Sequence, residues 1–121
     1  MLRPIPSKIL KHTVTLNVCT GVDRYQAPTY KQQEIKHCVM QPTNETRRTT
    51  SNTEVVLRGL MFADARRTLP VGYDFAGAKN ASEAAGFPLT LTFNGEEFTV
   101  QTVETLYDDE GLLHHYELGL I

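Results

Sequence analysis

An all-β fold, a small six-stranded barrel or sandwich carrying one long polar loop and at most one short helix, is what this sequence predicts, on three observations. Thr outnumbers Ala nearly two to one, with Val, Ile, Tyr and Phe well supplied, a balance that favours strands. Apolar and polar residues alternate with a period of two in several stretches, the mark of half-buried strands. Gly, Asn, Asp and Pro punctuate those stretches at short intervals, as hairpin connections require. A length of 121 residues points to one domain covering residues 1–121, with no room for a second independent core.

The first strand is His12 to Val18, where Val14, Leu16 and Val18 face one way and Thr13, Thr15 and Asn17 the other. Gly21, Asp23 and Pro28 make Cys19 to Thr29 a loop. A second strand runs from about Lys31 to Met40 with Ile35 and Val39 on its buried face, Cys38 and Met40 being alternative insiders. From Gln41 to Asn52 no large apolar side chain occurs. A segment with nothing to bury stays mobile unless a partner orders it. Extended from its two ends, it would project about 20 Å.

Strand character returns from Thr53 to Phe62 through Val55, Val56, Leu57 and Leu60, and Asp64 to Pro70 reads as a turn-rich connection. Asn80-Ala81-Ser82-Glu83 has the spacing of a capping box, predicting a short helix over about Ala81 to Ala85 with Gly86 as its stop. Leu89, Leu91 and Phe93 alternate with Thr90 and Thr92, and Asn94-Gly95 is a strong hairpin signal because both residues tolerate positive φ. Phe98, Val100 and Val103 form the return strand. After the turn Asp108 to Gly111, a final strand sets His114, Tyr116, Leu118 and Leu120 against His115, Glu117 and Gly119. Closing such a sheet on itself removes its exposed edges.

Composition narrows the function. A net charge of -2 argues against a protein whose business is gripping nucleic-acid phosphates. No stretch approaches the ~20 apolar residues of a membrane helix, and the start Met1 to Pro6 lacks the apolar core of a secretory signal. Without an oxidising compartment, Cys19 and Cys38 are expected as free, buried thiols. His114-His115 beside Asp108 and Asp109 has the composition of a metal site but not its spacing, since neighbours in a strand point to opposite faces. No nucleophile elbow, phosphate-binding glycine loop or His-Glu-x-x-His helix occurs, and Glu96-Glu97 flank a turn as solubilising residues, so no enzyme is predicted. Arg66-Arg67 and Arg47-Arg48 lie in loops. The second pair sits at the tip of the polar loop, placed to meet a phosphate or an acidic partner surface.

Taken in order, Pro6, the strand His12 to Leu16, the Phe-x-Asp ending Phe62 to Asp64, the hairpin Phe93 to Val100 and the terminus His114 to Ile121 resemble the minor capsid proteins of long-tailed phages and prophages. The resemblance spans nearly the whole chain, with its most specific parts in the hairpin and the last eight residues. The Ala- and Gly-rich stretch between Tyr73 and Phe87 departs from the pattern.

The resemblance implies a head-completion or stopper component of the head–tail connector, a β-barrel that assembles as a ring, hexamer or dodecamer, below the portal or its adaptor. Its partners would be other copies of itself, the portal or adaptor protein and a tail protein, with transient non-specific contact to packaged double-stranded DNA and no membrane. It would reside in the virion at the head–tail junction, after assembly in the bacterial cytoplasm. The resemblance brings no cofactor and no catalytic residue. Thr43, Asn44, Glu45, Thr46, Arg47, Arg48, Thr49 and Thr50 are the expected channel or assembly loop. A tail terminator is the neighbouring reading. A single-stranded nucleic-acid module is the reading from another class, and it would need exposed sheet aromatics, whereas Phe93, Phe98 and Tyr116 fall on faces that read as buried.

Overall fold

A computed structural model describes residue 6 and residues 8–48 and 51–121. Among the described residues, eight strands and one helix occur in the order β1 (His12–Val22), β2 (Pro28–Pro42), β3 (Thr46–Arg48), β4 (Glu54–Val56), β5 (Gly59–Asp64), α1 (Phe75–Ala84), β6 (Thr90–Phe93), β7 (Glu96–Tyr107) and β8 (Leu113–Leu120). Six of the strands form a closed antiparallel ring in the order β1-β2-β5-β8-β7-β6. The ring closes where β6 pairs with β1, Leu16 opposite Leu91. β3 and β4 form a separate two-stranded sheet. The all-β architecture predicted from alternation is the one observed.

Period-two patterning explains most of the core. Val14 and Leu16 of β1, Leu91 of β6, Phe98 and Val100 of β7, and Tyr116, Leu118 and Leu120 of β8 all point into the ring. Burying each large aliphatic side chain is worth about 1.5–3 kcal/mol. The hairpin at Asn94-Gly95 has φ of 51° and 78°, the paired positive values of a type I′ turn. Both cysteines are free and buried.

β2 departs from strict alternation. The register shifts between the pairs His12–Cys38 and Thr13–Lys36, and His37, at φ 58°, is the extra residue. This bulge flips the inward–outward parity of the rest of the strand. Ile35, Cys38 and Met40 therefore point inward and Val39 is only half-buried, which corrects the expectation that Val39 is an insider. A distant segment holds the bulge: Lys36 and Leu69 exchange two backbone hydrogen bonds, and the Thr68 hydroxyl donates to the His37 carbonyl at 2.6 Å.

The helix also differs from expectation. It spans Phe75–Ala84, and its N-cap is Asp74, whose Oδ1 accepts from the Gly77 amide at 2.9 Å. Asn80 lies in mid-helix, so the capping-box reading placed the start too late. Phe75, buried among the ring's side chains, draws the helix back to Asp74. The predicted stop is observed, with Gly86 at φ 104° just past the C-cap. β6 is short while β1 and β7 are long, and α1 packs against both. The buried Ser82 accepts from the Cys19 amide and donates to the Phe87 carbonyl, so the helix satisfies a β1 donor that lies beyond the reach of β6.

The strand expected from Thr53 to Phe62 is two strands. Between them the Leu57 amide donates to Glu45 and the Arg58 amide to Leu120, so the chain crosses there from the small sheet to the ring.

Candidate assembly surface

Within the polar stretch, residues 41–48 are ordered by the chain's own contacts. Gln41 and Pro42 end β2, and Thr46–Arg48 pairs with Glu54–Val56, Thr46 opposite Val56, Arg47 opposite Val55 and Arg48 opposite Glu54. The Thr43 amide donates to the Arg58 carbonyl and closes the base of this hairpin arm. The described residues of the expected loop thus belong to a paired arm and are not free of structure. The polar half buries nothing itself, but the segment after it supplies a strand to pair with and an apolar anchor. Asn44, Glu45, Thr46 and Arg48 are exposed, whereas Thr43 and Arg47 are half-buried. Thr49 and Thr50 lie outside the described residues.

Leu57 is the anchor. It is fully buried against the outer wall of the ring at Gly119. A Cβ at position 119 would come within 2.5 Å of Thr102 Oγ1 and 3.1 Å of a Leu57 methyl, so the seat exists because residue 119 has no side chain.

Arg47 fastens the arm higher on the same wall. Its Nη1 donates to Glu104 Oε1 at 2.8 Å, its Nη2 to Glu117 Oε1 at 2.8 Å, and its Nε to Glu45 Oε1 at 3.0 Å. Glu104 on β7 and Glu117 on β8 are directly opposed across the strand pair. Like charges in that position repel, and the guanidinium between them converts the repulsion into attraction. The hydrogen bonds that Arg47 donates to Glu45 and Glu117 raise its pKa further above its already high value. Side-chain exposures of 20% for Arg47 and 17% for Glu117 set this cluster apart from ordinary surface pairs. The pairs of Arg47 with Glu104 and Glu117 contribute about 1 kcal/mol to docking the arm. Arg48, its sequence neighbour, faces outward, and its pair with Glu54 is more than half exposed on both sides and contributes little.

Arg58 was not singled out by the sequence, although it stands at the foot of the arm. Its guanidinium lies 4.5 Å from the centroid of the Phe98 ring, its Nη1 donates to Glu96 at 2.6 Å and its Nη2 to the Glu97 carbonyl at 3.2 Å. It walls a cavity of about 260 Å³ at the mouth of the ring, with Met40, Pro42, Phe93 and Phe98. An arginine between two strand segments carries no local signal of such a role.

The two histidines also differ from expectation. A register shift in the β7–β8 pair places Leu106 opposite His115 and Tyr107 opposite Leu113, leaving His114 as a bulge residue. The bulge turns the rings toward each other, with Nδ1 to Nδ1 at 2.8 Å. They do not point to opposite faces. One Nδ1 donates and the other must accept, so this contact requires at least one neutral ring. Among the described residues no group of three or more His, Cys, Asp or Glu is arranged to hold a metal ion. Burial pushes the Cys38 thiol up to about 12, and its Sγ donates to the His12 carbonyl, which makes it a core residue in the manner of a small apolar side chain. No described helix is long and apolar enough to cross a membrane.

Comparison with known proteins places these features in a family. The family described as minor capsid protein matches residues 6–120, which takes in the whole ring, the helix and the arm. No curated protein matches the chain.

Proposed function

The chain belongs to the minor capsid protein family of phage origin and has a structural role in the virion, and from that premise we propose that it is a head-completion or stopper component of the head–tail connector. In this reading copies assemble as a ring below the portal or adaptor, retain packaged DNA and offer the tail its docking surface. The observation that carries the reading is the pairing of a closed sheet with a polar arm. A ring of strands in which each has two neighbours is a rigid mount for the arm. Apart from Val56, the arm is hydrophilic at its exposed positions and bears Arg48 outward, a composition suited to a wet channel or a charged neighbour.

Residues 43–50 are then the channel or assembly loop. Their deletion is expected to leave a folded ring of strands, because the buried core residues come from other segments. Phage particles carrying that deletion should lose packaged DNA before tails join, read as empty heads by electron microscopy and as nuclease-sensitive DNA in the lysate. Full, tailed heads would end the gating role. Labelling the chain in intact virions and finding it on the capsid shell, away from the neck, would end the connector reading itself.

The nucleic-acid module is disfavoured, because Phe98 and Tyr116 lie in the core and build no stacking platform.

A further inference from the structure

The acidic pair on the outer wall of β7 and β8 is built to receive a guanidinium, whichever chain supplies it. Glu104 and Glu117 stand opposite each other on adjacent strands, and Glu117 is half-buried beneath the arm. Like charges so placed repel, and a cation between them relieves the repulsion. Here Arg47 of the same chain fills the place.

The arm that carries Arg47 is separable from the wall. The ladder between Thr46–Arg48 and Glu54–Val56 is internal to the arm, as are the bonds from Leu57 to Glu45 and from Thr43 to Arg58. The Arg47–Glu45 pair would also travel with the arm. At its foot the arm is fixed by Arg58, which bonds to Leu120, Glu96 and the Glu97 carbonyl; above the foot, what holds it to the ring is the Leu57 anchor at Gly119 and the two charge pairs to Glu104 and Glu117. In the ring every strand has a partner on both sides along at least part of its length, whereas β3 and β4 each have one free edge.

We propose that in the assembled state the acidic pair Glu104–Glu117 of each copy is occupied by Arg47 of a neighbouring copy, so that the arms are exchanged around the ring. The proposal rests on the ring reading above and specifies its interface. Exchange recreates between copies the contacts already made within one, so little contact energy changes, and the association is heterologous, as ring closure requires. The wall of β7–β8 is the acceptor surface, and the arm is the donor.

Charge reversal separates exchange from docking within one chain. Arg47→Glu supplies a reversed arm with a native wall, and Glu104→Lys with Glu117→Lys supplies a native arm with a reversed wall. Circular dichroism and thermal melting of each variant first establish that the ring of strands remains folded. Sedimentation velocity and native mass spectrometry then track assembly of wild type, each variant alone and an equal mixture. The expected result is that wild type assembles, each variant alone has its dissociation constant raised about tenfold or more, and the mixture recovers assembly with the two variants alternating.

A wild type that assembles while the variants do so equally well overturns arm exchange and leaves the ring intact. So does a mixture that behaves as the sum of its parts. A wild type that stays monomeric at millimolar concentration overturns the exchange together with the ring reading it rests on.

Discussion

At the scale of single residues, what surrounds a side chain decides its part more than what precedes it. Arg47 and Arg48 are identical neighbours, yet strand alternation turns one onto a pair of carboxylates and the other into solvent. His115 shows the same dependence. Burial lowers its pKa below the usual 6.5, and the adjacent His114 adds to the lowering, while Glu117 and Asp64 oppose it. A base held neutral in the folded state binds fewer protons than the unfolded chain as pH falls. Its stabilising effect is therefore complete above pH 6.5 and is lost as pH drops through the lower folded value. Thermal melting from pH 7.5 to 5 should show stability falling toward acid, and His115→Gln should flatten that part of the profile. An unchanged profile in the variant would mean the slope arises elsewhere.

At the scale of elements, each irregularity answers to a partner. The bulge at His37 persists because Thr68 and Leu69 bond to the carbonyl and strand backbone around it. The helix begins at Phe75 because Asp74 can cap it and Phe75 can be buried there. Asp74→Ala should cost about 1 kcal/mol by loss of the cap, measured by denaturant unfolding. Asn80→Ala, at the cap position suggested by local spacing, should cost no stability, since it stands within the helix. A larger effect at residue 80 than at residue 74 would contradict the observed start.

The arm is the element whose order rests on charge. Raising salt screens the Arg47 cluster while leaving the apolar core untouched. Hydrogen exchange should therefore quicken in Thr46–Arg48 and Glu54–Val56 at high ionic strength, with the ring strands still protected. Arg47→Ala should reproduce the effect at low salt, by about tenfold in exchange rate. Uniform protection of arm and ring under all these conditions would assign the docking to Leu57 alone.

At the scale of the whole molecule, the closed ring positions everything else. β7 and β8, neighbours on one side, form the wall that the arm crosses, and the mouth beside Arg58 lies at the end where β2, β5 and the β6–β7 hairpin meet. The family membership and the phage structural role fit a fold in which six strands pair around a closed ring.

How much of this was legible beforehand depends on the range of each interaction. Alternation at Val14 and Leu16, the Asn94-Gly95 turn and the inward face of Tyr116, Leu118 and Leu120 are written in adjacent residues, because strand period and turn chemistry are local. Those signals determined the all-β class, the six ring strands in order and both hairpins of the last third. Tertiary structure alone decided the inward turn of Cys38 and Met40, the meeting of His114 with His115, the seat of Leu57 on Gly119 and the descent of Arg47 onto Glu104 and Glu117. These depend on bulges that reset the register or on groups separated by tens of residues. A local pattern carries no information about which distant carboxylate a guanidinium will find, and the energy of that meeting exists only once the ring has closed.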